Sequence, residues 1–193
     1  MAMLLRFCVG LIGACWAITS VVNADELKAG TFSPARTAPD FSVQSSNGGK
    51  LRLSSYHGKV VLLGFGYSSC LNVCPVTLAV LAQALRQLGA SASNVQVIYL
   101  TVDPERDNAT RLKEYLLAFN PAFVGGTGSI DEMAAVRQLY GVTAEKHGSG
   151  NDYVIAHSSF VYVIDKQGRL RALMPFGHKA DDYAHDLKLL INE

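Results

Sequence analysis

Apolar positions along this chain fall into two kinds of run. "VVLLGFG" (residues 60–66) and "VQVIYLTVD" (residues 95–103) are nearly unbroken, the pattern of strands buried on both faces. Elsewhere the apolar residues recur every three or four positions. "VTLAVLAQALRQLG" (residues 76–89) reads this way as a helix, with Pro75 suited to its first turn and Gly89 at its end. "DNATRLKEYLLAF" (residues 107–119) predicts a second helix with Asp107 as N-cap, and "SIDEMAAVRQLYG" (residues 129–141) a third, stopped again by glycine. "SFVYVID" and "RLRALMPF" predict a hairpin turning at Lys166 to Gly168, and "DDYAHDLKLLI" (residues 181–191) closes the chain as a helix. Upstream, Asn47-Gly48-Gly49 separates two short strands, after an irregular lead-in over residues 25–37. Strands alternating with helices, then a hairpin and a last helix, predict an α/β fold: a mixed central sheet flanked by helices on both faces.

The first 24 residues stand apart. Arg6 is their one charge, Phe7 to Val22 is mostly apolar, and Val22-Asn23-Ala24 offers small residues to a signal peptidase. Three fates fit: export with cleavage, retention as an N-terminal anchor, or lipidation at Cys15 in "LIGAC". All three place the remaining domain, residues 25–193, outside the cytoplasm. With 17 Lys and Arg against 16 Asp and Glu, the chain has a formal charge of +1, and residues 25–193 alone balance to zero. No basic surplus argues for nucleic acid.

The leader also changes the cysteine arithmetic. Of four cysteines, Cys8 and Cys15 fall within it, leaving Cys70 and Cys74 to the domain. They stand in "GFGYSSCLNVCPVTL", where a buried strand gives way to a helix, and open α/β sheets place their sites at such junctions. Three residues separate the pair; a thioredoxin-type redox pair is spaced by two, and a zinc ribbon needs a second pair. A disulfide closing so short a loop stabilises less than one closing a long loop. Cys74, just before Pro75, lies near a helix N-terminus, which predicts a depressed thiol pKa. Thiolates are soft ligands that select Cu(I), zinc or iron–sulfur centres, and two of them leave a metal under-coordinated.

Five histidines could complete such a set. His57 reads as a surface turn residue, His147 as part of a Gly-rich loop, and His185 as the wet face of the last helix. His178 follows the hairpin. His157 immediately precedes the strand "FVYVID". It is either a core histidine bonded to backbone or a ligand presented beside the cysteine loop.

Four features in order now resemble one family. "GFGYSSCLNVCP" resembles the Cys-x-x-x-Cys-Pro loop of the Sco (SenC) copper chaperones for cytochrome c oxidase assembly. "TVDPERD", with Asp103, resembles that family's Asp-Pro-Glu-Arg-Asp segment, and "AHSSFVYVID" its His-Ser segment before a strand. The N-terminal export or membrane segment fits too. The resemblance covers roughly residues 36 to 190. It implies a thioredoxin-like fold, with Cu(I) or Cu(II) held by Cys70, Cys74 and His157; Asp103 either supports the ligands from behind or docks a partner, or only forms the turn before Pro104. It implies a periplasmic metallochaperone that delivers copper to the CuA site of cytochrome c oxidase subunit II or to another copper protein. Other copper chaperones and a thiol reductant are the further partners it suggests. The rival reading is an extracytoplasmic thiol-disulfide oxidoreductase using the same two cysteines; a peroxidase of related fold and a merely structural disulfide rank below it. Where thioredoxin-type oxidoreductases place a proline before the strand facing the redox pair, none precedes "FVYVID". Two departures from the family, Leu71-Asn72 in place of Pro and Asp, and Ala156 in place of an acid, bear on copper affinity and partner choice.

Overall fold

The computed structural model describes residues 26–150 and 152–193. The expected leader, with Arg6, Cys8 and Cys15, lies outside the described residues. Eight strands form one mixed sheet: β1 (Gly30–Thr37), β2 (Ser42–Ser45), β3 (Lys50–Arg52), β4 (Val60–Gly66), β5 (Val95–Thr101), β6 (Val124–Thr127), β9 (Phe160–Ile164) and β10 (Arg169–Pro175), in the spatial order β1-β10-β9-β4-β5-β6-β2-β3. β7 (Ala144–His147) and β8 (Val154–His157) pair apart from it as a second, two-stranded sheet. The described residues also form four α-helices: α1 (Val73–Leu88), α2 (Ala109–Leu117), α3 (Ile130–Tyr140) and α4 (Ala180–Asn192).

β4 and β5 pair in parallel from Val60↔Val95 to Gly66↔Thr101, and β5 pairs in parallel with β6. The remaining neighbours are antiparallel. Both unbroken apolar runs are therefore central strands, and every residue of β4 and β5 is buried. The two faces of β4 meet different partners. Gly66 turns toward Cys74 of α1 and Tyr99, while the Phe65 ring lies 5.7 Å from Tyr140 at the end of α3. Helices thus cover both faces, the arrangement expected of a parallel core. α1 buries Cys74, Leu78, Leu81, Ala82, Leu85 and Leu88, one stripe at helical spacing.

Helix ends follow local chemistry. α3 opens on a capping box between Ser129 and Glu132 and closes on Gly141, whose φ of 68° is the left-handed cap conformation. α2 departs from expectation: Asn108, not Asp107, is its N-cap, accepting from the Arg111 N–H at 2.9 Å. Asp107 is fully buried and engaged elsewhere. The segment expected to be an irregular lead-in instead supplies β1, an edge strand paired with β10 at both its ends.

Candidate functional site

The loop from β4 to α1 carries both cysteines, and its shape is set from outside it. Asp107 accepts the Ser68 N–H at 2.9 Å, the Ser68 hydroxyl, and the Thr101 hydroxyl at 2.7 Å. Arg111 adds donors to the Ser68 and Ser69 hydroxyls at 2.7 and 3.0 Å. The Cys70 N–H then closes a turn onto the Tyr67 carbonyl at 3.3 Å. The first half of the loop is pinned, while Leu71 at its tip is 96% exposed. Asp107 is the residue that sequence reasoning missed: its bonds to Ser68 and Thr101 are visible only once β5 and the loop lie side by side.

Cys74 sits in the first turn of α1 with 3% of its surface exposed. Its Sγ lies 3.5 Å from His157 Nε2. The sulfur is wedged against the sheet: a Cβ on Gly66 would fall 2.8 Å from Cys74 Sγ and 2.0 Å from the Tyr99 hydroxyl. Burial pushes the Cys74 thiol up to about 12, with the Tyr99 hydroxyl only partly opposing the shift. This corrects the expected depression at Cys74. The depressed thiol is Cys70. Burial opposes that shift too, but the N–H groups of Cys74, Asn72 and Val73 outweigh it and hold Cys70 below its ordinary value. The helix N-terminus therefore favours the sulfur lying across its first N–H groups, not the one one turn inside the apolar interior. Both cysteines are free thiols, Cys70 half-buried and Cys74 buried.

His157 ends β8 rather than standing alone before the next strand. Its Nδ1 donates to the Ser158 carbonyl at 2.9 Å, so the lone pair resides on Nε2, which faces Cys74. The Tyr67 ring meets the imidazole edge-on, with centroids 5.9 Å apart. Burial lowers the His157 pKa and the Ser158 bond offsets this only partly, which favours the neutral imidazole that metals bind. The other histidines have other company. His57 is exposed, and His147 is exposed at the end of β7, not in a loop. His178 Nδ1 lies 3.4 Å from Asp182, and half-buried His185 bonds Asp186 at 2.9 Å.

Asp103 is buried, and its carboxylate takes Arg106 Nε at 2.5 Å and the Tyr153 hydroxyl at 2.6 Å. Its carbonyl also accepts the N–H groups of Arg106 and Asp107, so it builds the turn as well. Among the described residues, no group of three or more His, Cys, Asp or Glu side chains lies assembled to hold a metal ion. The structure brings Cys74 and His157 together, with Cys70 beside Cys74 at the helix mouth.

The SCO1/SenC family model matches residues 29–192. The chain belongs to the SCO1/SenC family. An SCO2-like protein of Rickettsia conorii is 30% identical over 165 residues, covering 82% of this chain and 80% of the relative. The copper-bound structure of ScoI from Bradyrhizobium japonicum superposes with a TM-score of 0.74 at 34% identity, covering 80% of this chain and 99% of that one. Copper-bound ScoI of Arabidopsis thaliana gives a TM-score of 0.75 at 27% identity, covering 81% of this chain and 99% of that one. The fold of this SCO1/SenC member is accordingly thioredoxin-like.

Proposed function

We propose that this SCO1/SenC protein is a copper-binding metallochaperone, with copper as cargo carried by Cys70, Cys74 and His157. One observation carries the reading: a neutral imidazole presents Nε2 to a buried sulfur at 3.5 Å, with a second, acidified thiol on the same helix mouth. Two soft sulfurs suit Cu(I), and the added nitrogen makes the set acceptable to Cu(II). The copper-bound relatives support the choice of metal. The family resemblance implies the acceptor, the CuA site of cytochrome c oxidase subunit II. It also implies delivery outside the cytoplasm, where residues 1–24 would export the domain or anchor it to the membrane.

Copper titration of the purified protein tests this. The expected result is one copper per chain, with a thiolate-to-copper charge-transfer band for Cu(II). Cys70→Ser or Cys74→Ser should abolish tight binding. His157→Ala should weaken Cu(II) about tenfold or more and Cu(I) much less. Absence of a visible band, with no binding tighter than micromolar, would sink the ligand assignment. Full rescue of oxidase assembly by His157→Ala in a copper-limited host would instead favour the thiol-disulfide oxidoreductase, which needs no third ligand.

A further inference from the structure

The ligand histidine rides on a hairpin that the main sheet does not hold. β7 and β8 pair with each other from Ala144↔His157 to His147↔Val154, and among the described residues no ladder joins them to the eight strands. Beside the hairpin lies an open cleft of about 170 Å³, where charged Asp103, Glu105, Arg137 and Lys146 line the wall together with apolar Val102 and Ile155. The main side-chain tie is Tyr153, just before β8 and 5% exposed. Its hydroxyl donates to Asp103 at 2.6 Å and lies 3.2 Å from a Glu105 carboxylate oxygen. Its ring is sandwiched by two cations, the Arg106 guanidinium 3.6 Å and the Lys146 ammonium 3.7 Å from its centroid. Arg106 also donates to the Tyr153 carbonyl at 3.1 Å, and Lys146 pairs with Glu105 at 2.5 Å. From there the Ile155 N–H reaches the Tyr67 hydroxyl at 3.3 Å, and the Tyr67 ring abuts His157.

We propose that Tyr153 is a positioning residue of the copper site: clamped by Asp103, Glu105, Arg106 and Lys146, it fixes the hairpin and so the reach of His157 Nε2 to the metal. This rests on the copper reading above. Metal–ligand distances tolerate only about ±0.2 Å, so a small loosening at Tyr153, four residues before the imidazole, is enough to lose the nitrogen donor. The sulfurs stand on the core and would stay.

Tyr153→Phe keeps the ring and its cation contacts and removes only the hydroxyl. In the whole protein, Cu(II) affinity should fall about tenfold, with weakened nitrogen coupling in the Cu(II) electron paramagnetic resonance spectrum. Cu(I) affinity should change much less. In metal-free protein, amides 154–158 should exchange hydrogen faster while those of β4 and β5 keep parent rates. Lys146→Gln, a surface change that spares the core, should shift Cu(II) affinity in the same direction. In a His157→Ala background, Tyr153→Phe should have no further effect on Cu(II). Parent affinity in Tyr153→Phe, or an equal loss with and without His157, overturns the positioning role. Parent Cu(II) binding by His157→Ala alone overturns the ligand assignment instead, and the amide exchange result still reads the clamp by itself.

Discussion

Cys70 lies where the N–H groups of Asn72, Val73 and Cys74 converge, whereas Cys74 is pressed into apolar surroundings beside Tyr99. Only a thiolate is nucleophilic, so the two should part company under an alkylating reagent. Metal-free protein treated with iodoacetamide over a pH series should label Cys70 with a midpoint below the ordinary thiol value of 9.0. Cys74, with its thiol pushed up to about 12, should remain unlabelled until the chain is unfolded. Equal labelling of both, read by peptide mass spectrometry, would contradict the two environments. The spacing alone pointed to the pair, and the ordered motifs to His157. It could not say which thiol the helix end serves, because that depends on where each Sγ lies relative to the first N–H groups. Asp107 was illegible for a similar reason. Its role is to hold Ser68, 39 positions away, and a local reading sees only a residue suited to capping a helix.

β4 and α1 approach each other so closely at the site that one missing side chain makes the contact. Gly66 leaves room for both Cys74 Sγ and the Tyr99 hydroxyl, and neither is the far end of a flexible chain: both are buried and packed. Gly66→Ala should cost about 1–3 kcal/mol of stability through overpacking. It should also displace Cys74 from His157, so chemical denaturation and Cu(II) binding should fall together. Loss of stability with parent copper affinity would argue that the sulfur is not held by this contact. The central elements were legible because burial on both faces leaves β4 without a polar side chain and β5 with only Gln96 and Thr101. β6 and the β7–β8 hairpin were not. "VGGT" has two glycines where a strand would show branched residues, and "AEKH" and "VIAH" are short and mostly outside the core, so no alternation betrays them.

Across the whole molecule, the depressed carboxylates set the response to acid. Asp40, Glu105, Glu132 and Asp182 are all held below their ordinary values. Burial raises Asp40 but bonds to Ser54 and Phe41 win, Lys146 lowers Glu105, the Ser129 N–H lowers Glu132, and the Lys179 N–H lowers Asp182. The unfolded chain therefore takes up protons first, at 4.5 for Glu and 3.8 for Asp. Their stabilisation is complete above those values and is lost as pH falls through the lower folded ones. His157 acts in the same sense, since its lowered pKa lets the unfolded chain protonate first below 6.5. Thermal unfolding of metal-free protein should show a melting temperature that declines slightly below pH 6.5 and steeply below pH 4.5. A melting temperature that rises on acidification would contradict the sign. The separation of the two ladders has a consequence for hand-over. A carrier that bound its cargo entirely with core side chains would have to strain its fold to let go. In the copper site proposed above, the nitrogen donor would withdraw without breaking a ladder bond of the eight-stranded sheet. An incoming thiolate or imidazole from an acceptor would then substitute at the vacated position before either sulfur leaves. On that reading the cargo would pass by stepwise ligand exchange, and the work of release would be drawn from a hairpin rather than from the stability of the domain.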